Sequence, residues 1–264
     1  MRRQMITVYY RKVFPLQKED TFSRISPCGG MGAADIPLTE KLDEGRRQKL
    51  LRLKNEKARA RELTAGILLH DALCSRLGLS AADTPPFAIA YEEKGKPYLS
   101  GREDICFNIS HSGDYVCVAV SSLPVGIDIQ ENPGKQSAAV YGECPTGDSR
   151  YTTGGQEEIY RKERKIAERF YTASDRKRLA LCGEEYGDLF YRMWSIRESY
   201  IKLTGEGMSQ GLSGFEIDWN ERRILDTESR QTAAYFWEWR GIENYSLCVS
   251  ACTPQRVVWE KMET

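Results

Sequence analysis

One stretch, residues 190–207 with the sequence FYRMWSIRESYIKLTGEG, limits what this chain can fold into more than any other. Phe190, Met193, Trp194 and Ile201 recur at helical spacing and lay an apolar stripe along one helix, while Glu198 and Lys202 sit four apart on its edge. Gly205 and Gly207 end that helix, because glycine accepts the left-handed turn that follows a last helical carbonyl. Read alone, Glu198 and Lys202 form a solvated ion pair worth about 0.3–0.5 kcal/mol, with no function. Any other reading has to come from the rest of the chain.

The order of elements around this helix narrows the fold. An opening strand is predicted over 5–10, MITVYY, followed by a loop marked by Pro27, Gly29, Gly30, Gly32 and Pro37. Residues 43–77 hold no proline, and Leu50, Leu53, Ala60, Leu63, Ile67 and Ala72 can line a buried helical stripe while Arg46, Lys49 and Arg52 point elsewhere. Pro85 and Pro86 stop that pattern, 87–91 reads as a short strand, and EKGKP at 93–97 reads as a turn. Strands at 104–110 and 115–121, separated by HSGD, predict an antiparallel hairpin with Ser110 and His111 at its mouth. A strand at 125–130 precedes a Pro-, Gly- and Ser-rich loop over 131–156. Helices follow at 157–173 and 174–182, then the 190–207 helix, then strands at 215–219, 233–239, 245–251 and 257–259. The second half repeats the order of strand, long helix and short strands, although no residue-level repeat accompanies it.

Composition excludes several function classes. In 264 residues, 38 basic side chains balance 38 acidic ones, so no global field selects nucleic acid or an anionic membrane surface. No apolar run is long enough to span a bilayer, and the start lacks the apolar core of a signal peptide, so a cytoplasmic protein is expected. The eight cysteines are scattered without a CxxC pair, and Cys106, Cys117 and Cys248 fall in apparent strands, as buried reduced thiols do. Only His70 and His111 are present, which limits any histidine-based triad or metal cluster. In VGIDIQ, Val125, Ile127 and Ile129 face one side of a strand and Gly126, Asp128 and Gln130 the other. Asp128 among such neighbours either ends its strand in solvent or needs a partner or a cation.

GKP at 95–97, FNISHSGDYV at 107–116, VGIDI at 125–129 and the 190–207 helix stand in a fixed order. That series resembles the signature of the 4′-phosphopantetheinyl transferases, of the surfactin-synthetase-activating type rather than the short trimeric type, over about residues 46–218. The resemblance implies an α+β fold of two similar α/β subdomains related by a pseudo-twofold, each with a long helix on a small, mainly antiparallel sheet. The expected boundaries are 1–124, carrying the CoA 3′-phosphate and adenine side, and 125–264, carrying the metal site and catalytic helix. CoA would lie in the cleft between them, and the protein would act as a monomer.

The resemblance also implies the chemistry. Coenzyme A is the substrate, and a serine hydroxyl of an apo acyl- or peptidyl-carrier protein attacks its β-phosphate, releasing 3′,5′-ADP. Asp128 and Glu198 match the family's ligands for Mg²⁺, with Mn²⁺ as a substitute, since hard cations pair carboxylates with phosphate oxygens. Lys202 matches the lysine on the pyrophosphate, and Glu198 is the candidate base. Arg46 and Lys49, with Arg61 as a further candidate, match basic contacts to CoA. Lys96 and Pro97 match the adenine-side contact, and Ser110 with His111 the pair that meets the phosphates. The family usually carries a second carboxylate where this chain has Gln130, which can ligate through its carbonyl but brings no charge. The alternative reading is a non-catalytic module that binds CoA or a carrier with a weakened metal site. A histidine-dependent hydrolase is disfavoured, because no nucleophile elbow accompanies the two histidines.

Overall fold

The computed structural model describes residues 4–14, 38–133, 160–207 and 212–263. The loop expected around Pro27 to Pro37, and all but residues 131–133 of the loop expected at 131–156, lie outside these. The chain forms two units, one of Met1–Val125 with Gln255–Thr264 and one of Gly126–Pro254.

In the first unit, β1 (Met5–Lys12) buries Ile6, Val8 and Tyr9, as its β-branched and aromatic residues favour. It pairs antiparallel with β5 (Tyr115–Ser121), which pairs antiparallel with β4 (Cys106–Ser112). On its other edge β1 pairs in parallel with the chain's last strand, β11 (Arg256–Lys261), giving the order β11-β1-β5-β4. The sequence assigns that last strand to the second half. Pairing of Ile6 with Val257 and of Val8 with Trp259 instead places it in the first unit, a long-range ladder that no local pattern encodes.

The helical stretch over 43–77 is two helices, α1 (Glu44–Arg52) and α2 (Glu56–Leu77). Leu53 is extended and Asn55 caps α2 by accepting from the Ala58 amide, so the chain starts a new helix rather than continuing the old one. Leu68, Leu69, Ala72 and Leu73 of α2 pack on Tyr9, Phe107, Val116, Val118 and Val120 of the sheet. Leu50 of α1 joins Leu42, Leu63 and Ile67 in a smaller cluster. A short hairpin of β2 (Ile89–Tyr91) and β3 (Pro97–Leu99) frames the EKGKP turn, where Gly95 takes a φ of 84°. Strand β3 is absent from the sequence reading, since three residues opening on a proline give no periodic signal. Strand β4 runs through His111 and Ser112, which face Val116 and Tyr115, so the β4–β5 turn is only Gly113 and Asp114.

The second unit begins within β6 (Val125–Glu131) and orders its sheet β6-β10-β9-β8-β7. Its helices are α3 (Arg161–Phe170), α4 (Ala173–Leu181) and α5 (Tyr186–Thr204), and its other strands β7 (Phe215–Asp218), β8 (Arg223–Asp226), β9 (Thr232–Trp239) and β10 (Tyr245–Ala251). The sequence misses β8, which is four residues long and meets β9 through a register shift at Ile224 and Leu225. Helix α5 lies on β10 at two serines: Ser195 Oγ donates to the Ser246 carbonyl at 3.0 Å, and the Ser199 and Ser250 hydroxyls meet at 2.7 Å. Phe190, Met193 and Ile201 are buried as the stripe predicts, and half-buried Trp194 stacks near Phe190. The fold is therefore α+β, with one long helix on a mainly antiparallel sheet in each unit. Among the described residues no helix is long and apolar enough to cross a membrane.

Candidate active site

Gly126 explains how a strand and a helix come close enough to share a site. A Cβ built there would fall 2.0 Å from the Ser199 carbonyl oxygen and 2.4 Å from the Leu203 amide nitrogen, so β6 and α5 touch backbone to backbone. Two residues on, Asp128 is 2 % exposed and faces the same helix. Its Oδ1 accepts from Lys202 Nζ at 2.6 Å, and its Oδ2 accepts from Gln130 Nε2 at 3.0 Å. The ammonium that looks like the solvated partner of Glu198 thus bonds a buried carboxylate from another element.

Glu198 lies one turn before Lys202 on α5 and is half-buried. Burial pushes its carboxyl above the usual carboxylate range, and the charge of Asp128 pushes it further, against the opposing pull of Lys202. The fold brings together Asp128, Gln130, Glu198 and Lys202. Two carboxylates and a carboxamide offer hard oxygen atoms, the donor class that suits Mg²⁺, and the raised proton affinity of Glu198 comes first from burial and second from the charge of Asp128. Among the described residues, no group of three or more His, Cys, Asp or Glu side chains converges. The acidic cluster therefore rests on a pair, with the amide of Gln130 beside it.

The basic residues of α1 and α2 stand differently. Arg46 is buried rather than on a solvated face. Its Nη1 donates to Glu62 Oε1 at 2.8 Å, and its Nε lies 3.5 Å from Asp43 Oδ2. Lys49 Nζ meets the other oxygen of Glu62 at 2.6 Å, yet its side chain remains 60 % exposed. Glu62, missed by the sequence reading, is the carboxylate both cations share. Its position on the α2 face toward α1, sixteen residues from Arg46, was its only signal. Arg61 is half-buried beside it in sequence.

Lys96 and Pro97 line a pocket of about 930 Å³ with Tyr91, Tyr98, Arg102 and Phe107. On β4, Ser110 is buried opposite Cys117, whereas His111 is exposed. These four residues belong to the first unit, as do Arg46, Lys49 and Arg61, and Asp128, Gln130, Glu198 and Lys202 belong to the second.

A buried aspartate, a carboxylate of raised proton affinity and a lysine meet where a strand lies against a helix. Two family models match successive parts of the chain: that of the 4′-phosphopantetheinyl transferase superfamily over residues 124–250, and that of the 4′-phosphopantetheinyl transferase N-terminal region over residues 37–123. A 4′-phosphopantetheinyl transferase of Bacillus subtilis is 29 % identical over 213 residues, covering 79 % of this chain and 81 % of its own. The transferase Sfp of Bacillus subtilis strain 168 is 26 % identical over the same shares. An L-aminoadipate-semialdehyde dehydrogenase-phosphopantetheinyl transferase of Xenopus laevis is 29 % identical over 133 residues, 47 % of this chain and 37 % of its own. The chain belongs to the 4′-phosphopantetheinyl transferase superfamily and is of the surfactin-synthetase-activating type that its motif series indicates.

Proposed function

We propose that the protein transfers the 4′-phosphopantetheine arm of coenzyme A to a serine hydroxyl of an apo acyl- or peptidyl-carrier domain, with Asp128, Glu198 and Lys202 as its catalytic groups. The observation that carries this reading is the gathering of Asp128, Glu198 and Lys202 on β6 and α5, with Lys202 Nζ 2.6 Å from Asp128 Oδ1. Asp128 and Glu198 would hold Mg²⁺, or Mn²⁺, with the Gln130 carbonyl as a neutral third donor. When bound, the ion neutralises pyrophosphate charge that otherwise repels a nucleophile. Glu198 accepts the serine proton. A carboxylate whose burial raises its proton affinity is better matched to that role near neutral pH than a surface glutamate.

The serine Oγ forms its bond to the β-phosphorus as the bond from that phosphorus to the bridging oxygen breaks. The electron pair leaves on 3′,5′-ADP, and the Lys202 ammonium offsets the charge that develops there. In the first unit, Lys49 and Arg61 are the proposed contacts to the CoA 3′-phosphate. Arg46, held by Glu62 and Asp43, adds positive charge from within the unit. Lys96 and Pro97 are proposed on the adenine side, and Ser110 and His111 at the phosphates. We take the protein to work as a cytoplasmic monomer. Incubation with CoA, Mg²⁺ and a panel of apo-carriers should add the phosphopantetheine mass to a carrier serine, read by mass spectrometry. If every carrier stays unmodified while CoA still binds, the non-catalytic module is the correct reading.

A further inference from the structure

The residue before Glu198 has no role in the chemistry above, yet among the described residues of the second unit it is the most deeply buried charge. Arg197 has no solvent exposure, which is rare for so long a charged side chain. Its Nη2 pairs with Asp175 near the start of α4, and its Nη1 donates to the carbonyls of Leu212 and, at 3.2 Å, of Phe215. The guanidinium also lies over two rings, 4.8 Å from the centroid of Phe215 and 5.4 Å from that of Tyr171. Asp175 is fixed in turn by Thr172, whose hydroxyl donates to Asp175 Oδ2 at 2.9 Å and accepts from the Asp175 amide at 3.2 Å. A buried pair of this kind costs desolvation that a pair of apolar side chains would not, so packing alone does not account for it.

We infer that Arg197 is a positioning residue, a latch that fixes the rotation of α5 so that the adjoining Glu198 is held toward Asp128. Helix α5 is held by the apolar packing of Phe190, Met193 and Ile201, by the Ser195 and Ser199 bonds to β10 and by Arg192 on Glu238 of β9. Arg197 adds directional ties to α4 through Asp175, and to Leu212 and Phe215 at the entry to β7. Directional bonds to three points fix an angle that dispersion contacts leave soft. Carboxylates that ligate a cation depend on such outer support, and losing it commonly lowers metal affinity about 10–100-fold.

The inference rests on Glu198 acting as proposed, and the experiment separates the two. Arg197→Met keeps the stem and removes the latch. Arg197→Met combined with Asp175→Asn also removes the uncompensated charge, so it guards against simple misfolding. Mn²⁺ binding in the presence of CoA, followed by electron paramagnetic resonance, gives a readout independent of turnover. Both variants should bind Mn²⁺ about tenfold more weakly. Their half-saturating CoA should stay within about twofold of the parent, and hydrogen exchange at Leu212 and Phe215 should accelerate. Unchanged Mn²⁺ affinity in the folded double variant would overturn the latch. Near-normal transfer by Glu198→Gln would instead overturn the reading it rests on.

Discussion

The charged clusters of the two units make opposite use of similar residues. In the first unit Arg46 and Lys49 meet Asp43 and Glu62, so two cations face two carboxylates and the cluster closes on itself. In the second, one ammonium and one neutral amide both bond Asp128, and Glu198 beside that charge has a proton affinity raised first by burial and then by Asp128. The first arrangement balances its charges as it stands, whereas the second gains by taking up a cation or a proton. From the sequence, Arg46 and Lys49 pointed away from a buried stripe and, by resemblance, matched basic contacts to CoA, while Glu198 and Lys202 read alone as a solvated pair. Folding reverses both impressions, because the deciding partners, Glu62 and Asp128, come from other elements.

The sharpest way to break this contrast is Glu198→Gln. It removes the surplus charge and the proton acceptor together and should lower carrier modification by about 10²–10⁴, read as initial rates by mass spectrometry. Near-normal transfer would reduce the second cluster to a structural pair. Next in size are two glycines whose added Cβ would meet a neighbour at almost the same distance. Gly126→Ala runs into the α5 backbone at 2.0 Å and should cost about 3 kcal/mol in denaturant unfolding. Gly66→Ala meets side chains rather than backbone, the Leu42 Cδ2 methyl at 2.1 Å and the Arg46 Cδ at 3.3 Å. Offset by helix propensity, it should cost no more than about 1 kcal/mol. Equal losses would mean that the β6–α5 contact is no tighter than that of α2 with Leu42.

Glu62→Gln tests the closed cluster. It deprives buried Arg46 of a charged partner while exposed Lys49 simply turns to water, so a loss of about 2 kcal/mol in unfolding is expected. Gln130→Glu adds charge to the open cluster and removes a donor to Asp128. It should shift half-maximal Mg²⁺ and Mn²⁺ to lower concentrations, and superimposable metal titrations would make that position immaterial. The smallest effect is on stability against pH. Because Glu198 is raised when folded, the native state holds more protons than the unfolded one between the ordinary glutamate range and the raised value. Native stability therefore falls as pH rises through that window. Without added metal, Glu198→Gln should be more stable than the parent above the window and equal to it below, as thermal melts at several pH values would record.

Much of the second unit's site was legible in the chain. Asp128 alternates with Ile127 and Ile129 on a strand, and Glu198 and Lys202 are spaced by one helical turn. Both patterns depend only on local geometry, and the ordered motif series carried the family. Glu62 and Arg197 were not legible. Their meaning lies in partners sixteen and twenty-two residues away across a packed face, Arg46 and Asp175, and a charged residue on a helix reads as solvated until its neighbours are placed. Strand β11 was found as a strand but assigned to the wrong unit, because pairing in parallel with β1 is a property of the ladder and not of Arg256–Lys261.

By itself, then, the sequence determined most of the elements and their order, the residue types at Asp128, Glu198 and Lys202, and the departure at Gln130, because side-chain periodicity and turn chemistry act within a few residues. Tertiary structure alone decided which charges are satisfied. It bonded Lys202 to Asp128 rather than leaving it to Glu198, buried Arg46 against Glu62, and locked Arg197 to Asp175. Burial sets the cost of leaving a charge unpaired, and burial exists only once strand and helix have met.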